Sequence, residues 1–93
     1  MRNVVSRFAV RIDRQLGDAA AIKGEGGWAD MSASALLTAA QRHLAFLTAC
    51  CAEVGSYMGN SDSHREKIAH ECADVAAYLM MLADNAKMNR PLV

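Results

Sequence analysis

His70-Glu71-Cys72-Ala73-Asp74-Val75-Ala76-Ala77-Tyr78-Leu79-Met80-Met81-Leu82-Ala83-Asp84 is the stretch on which the reading of this chain turns. Ile68, Cys72, Val75, Leu79, Leu82 and Ala86 step by threes and fours, the spacing of one apolar helical face. Glu71 and Asp74 sit together at the edge of that face, because three residues make a little under one turn of about 3.6 residues. Carboxylate oxygens are what a hard cation such as Mg²⁺ accepts, so a Glu-x-x-Asp pair can share one ion. The same spacing is also common on solvated helix faces, and the pair alone does not define a site.

Working back from this stretch, Ser63-x-x-Glu66 matches a capping box that opens the third helix. Asn60, Ser61 and Asp62 form a short polar turn, and Gly59 fits the left-handed position that ends the preceding helix. That second helix is expected over about 33 to 58, with Ser32 as its N-cap. Its stripe is Leu36, Ala40, His43 or Leu44, Leu47, Cys51, Val54 and Met58. Val5, Phe8, Ile12 and Leu16 predict a first helix from 3 to about 20, with Arg7, Arg11, Asp13 and Arg14 turned to solvent. Gly17 weakens the end of that helix, which either stops there or runs on to Ile22. Beyond the last helix, Pro91 cannot extend it.

Between the first two helices lies Lys23-Gly24-Glu25-Gly26-Gly27-Trp28-Ala29-Asp30-Met31. Its glycines give a backbone free to approach a ligand. Trp28 either plugs the end of the core or forms a lid whose indole stacks on a flat ligand.

The chain of 93 residues makes one domain, 1–93, near the size where burial per residue is limited. Hydrophobic residues are 53% of it but aromatic ones only 5%, with much alanine and methionine, a composition that suits packed helices over a sandwich. The formal net charge is +0 and there is no basic run, which disfavours nucleic-acid binding by phosphate neutralisation. No continuous apolar segment suggests a signal peptide or a membrane span. Cys50, Cys51 and Cys72 lack metal-type spacing and read as reduced thiols, Cys72 in the core, in a cytoplasmic protein. His64 and His70 are expected to face solvent.

The expected fold is all-α: an antiparallel helical hairpin plus an N-terminal helix. Two helices about 35 Å long and a shorter one make a thin layer. Oligomerisation into a four-helix-bundle-like core, as a homodimer or homotetramer, would cover it. A helical wheel at about 100° per residue puts His43 and Phe46 of the second helix opposite Glu71 and Asp74 of the third.

At these residues the chain resembles the MazG-like all-α nucleoside triphosphate pyrophosphohydrolases, most closely their short phage or mobile-element members. The residues that carry the resemblance are Gly26-Gly27-Trp28, Ser32, Leu36-Leu37, Glu71-Cys72-Ala73-Asp74-Val75-Ala76 and Leu79-Met80-Met81-Leu82-Ala83-Asp84-Asn85. The resemblance implies nucleotide binding and cleavage of a triphosphate to a monophosphate and pyrophosphate. It implies that Glu71 and Asp74 are catalytic metal ligands, that Mg²⁺ or Mn²⁺ is the cofactor, and that Trp28, Lys67 and Tyr78 line the nucleotide. In the family a second carboxylate pair completes the metal site. Here those positions hold His43 and Phe46, so about half of the negative charge is missing, and His43 is the one that can ligate.

Two functions stay open on the sequence. One is a MazG-like nucleotide-binding protein, a degenerate pyrophosphohydrolase with an altered metal site of His43, Glu71 and Asp74. The alternative is a non-catalytic helical oligomerisation or interaction module.

Overall fold

A computed structural model describes residues 2–23, 27–53 and 61–90. Every regular element among them is helical: α1 (Asn3–Lys23), a 3₁₀ turn (Gly27–Asp30), α2 (Ala33–Ala52) and α3 (Asp62–Lys87). No described helix is long and apolar enough to cross a membrane.

The helix ends show which local signals mattered. Ser32 caps α2 as expected, its hydroxyl accepting from the Ala35 amide at 3.1 Å. The cap of α3 is Ser61, not Ser63: Ser61 Oγ accepts from the His64 amide at 3.1 Å, and the helix starts at Asp62. Ser61 wins because it takes the extended conformation that turns its oxygen back onto the first turn. α2 stops at Ala52, short of the expected 58, where the Glu53 amide folds back onto the Cys50 carbonyl at 3.2 Å. Val54, Met58 and Gly59 lie outside the described residues. α1 runs through Gly17 to Lys23, since one glycine costs about 1 kcal/mol and does not by itself end a helix. α3 closes on Asn89, whose φ of 60° is left-handed. The Asn89 amide donates to Ala86 and the Arg90 amide to Asn85, the paired bonds of a Schellman turn.

α3 is the central element, with α1 and α2 both packed on it. α2 runs antiparallel to it, as the contact between the end of α2 (Cys50) and the start of α3 (His64) requires. α1 runs parallel to it, since Arg11 meets Glu66 and Gln15 meets Asp74. Among the described residues the buried apolar ones are Leu36, Ala39 and Ala40 of α2 with Ala73 and Ala77 of α3. Small side chains let helices approach closely, and here alanine lines the seams.

This corrects the expected stripes in part, since Leu36 and Ala40 are buried as expected. On α2 the inward line passes through Ala39, His43 and Cys50, while Leu44 and Cys51 are exposed. On α3 the buried face turns to Ala73, Ala77 and Asn85, leaving Leu79 and Ala86 exposed. The physical reason is that α3 has two neighbours, so its buried face is wider than one stripe and is centred on alanines. Val5 and Phe8, placed on the α1 stripe, are exposed too.

Two polar expectations also change. Arg11 does not fall away to solvent: its guanidinium grips Glu66 of α3 in a bidentate pair, at 2.6 and 3.1 Å. The hydrogen bonds to Arg11 hold the Glu66 carboxyl below its usual range, and those to Glu66 raise Arg11. A carboxyl whose folded pKa is depressed adds stability above its unfolded pKa and loses it on acidification. The melting temperatures of the wild type and Glu66→Gln should therefore differ slightly at neutral pH and converge below about pH 4. A constant difference down to low pH would refute this. His64, expected at the surface, is buried instead: its Nε2 donates to the Cys50 carbonyl at 2.7 Å and its Nδ1 lies 3.5 Å from Glu53. It ties the end of α2 to the start of α3. Cys72 is half-buried, and burial pushes its thiol pKa up, which fits a packing residue better than a nucleophile.

Candidate functional site

The third-helix motif faces the middle of α2. Glu71 and Asp74 project from α3 on neighbouring bearings, and His43 reaches them from α2. His43 Nδ1 stands 2.8 Å from Glu71 Oε2 and 3.5 Å from Asp74 Oδ2. One ligand atom from each of the three lies within 4.8 Å of the others, and all three side chains are half-buried. The convergence expected of positions 43, 71 and 74 is thus present in the structure.

Aromatic rings flank the imidazole. Tyr78, one turn beyond Asp74, stacks on His43 with centroids 5.4 Å apart and planes 25° apart. Phe46, one turn beyond His43, meets it edge-on at 6.0 Å. Phe46 is 52% exposed and supplies no oxygen, so the site holds two carboxylates and not four. Such a ring beside a polar cluster offers a face to a flat ligand.

Two participants were not predicted. Gln15 of α1 donates from Nε2 to Asp74 Oδ1 at 2.8 Å and to the His70 carbonyl at 3.2 Å. Its Oε1 is buried with no hydrogen-bond partner among the described residues. Only the four-residue steps Arg11, Gln15 on α1 could have hinted that Gln15 faces α3, since glutamine carries no motif of its own. His70 places Nε2 3.3 Å from Asp74 Oδ2 and is half-exposed, so it does not simply point to solvent. The i,i+4 spacing from Asp74 was the available signal.

Other expected site residues lie elsewhere. Lys67 is exposed, and its ammonium meets no carboxylate among the described residues; Glu71 turns to His43 instead. Trp28 sits at the far end of α3, its indole N–H donating to Asp84 at 3.3 Å and its carbonyl accepting from Asn85 at 2.9 Å. Arg90 joins the same knot through Asp84 and Asn85, both at 3.0 Å. The distance along α3 from Asp74 to Asp84 is about 15 Å, and from Lys67 to Asp84 about 25 Å. Trp28 therefore closes the end of the core and shares no single pocket with Lys67 in one copy of the chain.

Comparison with known proteins gives no match: no family model fits the chain, and no curated protein or solved structure is significantly similar to it.

Proposed function

We propose that this chain is a MazG-like nucleotide-binding helical protein in which His43, Glu71 and Asp74 form an altered metal site. The observation that supports it is the meeting of His43 with Glu71 and Asp74 at 2.8 and 3.5 Å beneath the rings of Tyr78 and Phe46. A phosphate-bearing ligand needs positive charge at one end and an apolar face at the other. The cluster can hold a cation, and the rings can hold a base. In that arrangement Tyr78 and Phe46 take the base and Trp28 keeps a packing role.

The donor set does not fit the family's Mg²⁺ site. Mg²⁺ asks for oxygen ligands in near-octahedral order, and here one ligand is an imidazole nitrogen and Phe46 brings none. With half the carboxylates gone, the reading is of a binder descended from a pyrophosphohydrolase. Binding is tested by thermal shift with a panel of nucleoside triphosphates plus Mg²⁺ or Mn²⁺. A ligand selective for the native state raises the melting temperature, by about 2.7 kcal/mol of stabilisation at a hundredfold excess over Kd. Glu71→Gln should remove the metal-dependent part of that rise. No shift with any nucleotide sinks the reading. Pyrophosphate release is expected to be absent in the wild type and to return in His43→Glu/Phe46→Glu, which rebuilds the missing pair.

A second reading, the helical oligomerisation module, is favoured by one observation. The radius of gyration is 14.7 Å against about 12 Å for a compact chain of this length, and Leu37, Leu44, Leu79 and Met80 lie exposed. A homodimer or homotetramer would cover them. The two readings are compatible, and a monodisperse monomer in analytical ultracentrifugation would remove the second.

A further inference from the structure

We infer that His70 joins His43, Glu71 and Asp74 in a site for a nitrogen-preferring divalent transition metal, Zn²⁺, Co²⁺ or Ni²⁺, which binds without any nucleotide. The inference uses the cluster of the preceding reading, but neither the nucleotide nor the family's chemistry.

Its centre is one oxygen. Asp74 Oδ2 is approached by His43 Nδ1 at 3.5 Å from α2 and by His70 Nε2 at 3.3 Å from its own helix. Four ligands about 2.0–2.2 Å from a tetrahedral ion are separated by roughly 3.3–3.6 Å, so these two edges have the length they take around one metal. The His70 ring, outside the three-residue group whose atoms lie within 4.8 Å of one another, has to turn towards His43 and Glu71 to close the set. Glu71 Oε2 lies nearer, at 2.8 Å from His43 Nδ1, because a hydrogen bond now joins them. That proton occupies the lone pair a metal would take, so metal and proton compete there.

Three further observations point the same way. His70 and Asp74 are four residues apart on α3, the spacing at which a helix chelates one ion from a single face. Gln15 holds the other oxygen, Oδ1, at 2.8 Å, which fixes the carboxylate and leaves Oδ2 towards the imidazoles. An outer hydrogen bond of this kind is how proteins orient a ligating carboxylate. The His70 side chain is 51% exposed, which gives an ion a path in and lets the ring turn to meet it.

Donor chemistry selects the ion. Two imidazoles with two carboxylates make an N₂O₂ set, which suits borderline ions and not Mg²⁺ or Ca²⁺. His70 is thus a ligand, and Gln15 is a positioning residue acting through Asp74.

The test is a Co²⁺ titration of the full chain in the absence of nucleotide, followed by visible absorption and then by displacement with Zn²⁺. One equivalent of Co²⁺ should give the intense band of a four-coordinate ion, and Zn²⁺ should abolish it where Mg²⁺ in excess does not. His70→Ala, which changes a half-exposed residue and keeps the helix by circular dichroism, should weaken Zn²⁺ at least about 10-fold, since even outer partners are worth 10–100-fold. In the unmodified protein, the ring signals of His43 and His70 should shift together on adding one equivalent of Zn²⁺. Equal affinity for Mg²⁺ and Zn²⁺, unchanged affinity in His70→Ala, or a shift of His43 alone overturns the inference. Zn²⁺ binding with no nucleotide effect on melting would leave it standing and dismiss the nucleotide reading; the reverse result separates them the other way.

Discussion

Asn85→Ala should lower stability by about 2–3 kcal/mol and melting by roughly 10–20 °C, an effect out of proportion to one amide. Asn85 has 0% exposure and its side chain makes two hydrogen bonds. Its Nδ2 donates to the Trp28 carbonyl at 2.9 Å, and its Oδ1 accepts from Arg90 at 3.0 Å. Removing the amide leaves that carbonyl with the Met31 amide alone, at 3.1 Å, strips the Arg90 guanidinium of one acceptor, frees the 3₁₀ turn at its tie to α3, and opens a void. Asn85→Leu separates these causes, because it fills the space and restores no hydrogen bond. It should still lose most of that same about 2–3 kcal/mol, since both side-chain hydrogen bonds are gone and apolar contact replaces neither. Calorimetry on both variants decides it. A leucine variant as stable as the wild type would mean that volume, and not hydrogen bonding, holds Trp28 to α3.

The second large effect is expected at Leu36. It is 1% exposed, and the other buried apolar residues described are alanines. Leu36→Ala should cost about 3 kcal/mol, the loss of transfer energy plus the cavity left between α2 and α3. Leu36→Met, nearly equal in volume, should cost less than about 1.5 kcal/mol. Urea denaturation with an unchanged slope would show that both act on the native state. A loss below about 1 kcal/mol for the alanine variant would mean that the seam collapses onto the gap.

The helical class, the number of helices and the Ser32 cap were legible because each rests on local periodicity or a local side-chain bond. The meeting of His43 with Glu71 and Asp74 was legible too, because it needs only a wheel and an antiparallel turn. The helix faces were legible only in part: Leu36 and Ala40 are buried as expected and Leu47, Cys72, Val75 and Leu82 are half-buried, but the centre of each face is misplaced. Leu44, Cys51 and Leu79 weigh more than Ala39, Ala73 and Ala77 in any hydrophobic count, yet alanines lie in the seams because α3 must admit two neighbours. Polar long-range partners were also hidden. Gln15, Arg11 and the buried His64 take their roles from the register between helices, and single-helix patterns carry no information on register. Ser61 and Ser63 both had the chemistry of a cap, and only backbone conformation chose between them.

Gln15 of α1, His43 of α2 and Asp74 of α3 meet at one point, so each helix contributes to the cluster. The ligand atoms themselves come from α2 and α3, and α1 adds the bond that holds Asp74, so a chain in which these helices have not docked does not contain the arrangement. An ion held by that arrangement would favour the native state over the unfolded chain, so binding would raise stability. Where the buried apolar residues described are one leucine and four alanines, occupancy of such a site and foldedness would be two measures of one quantity.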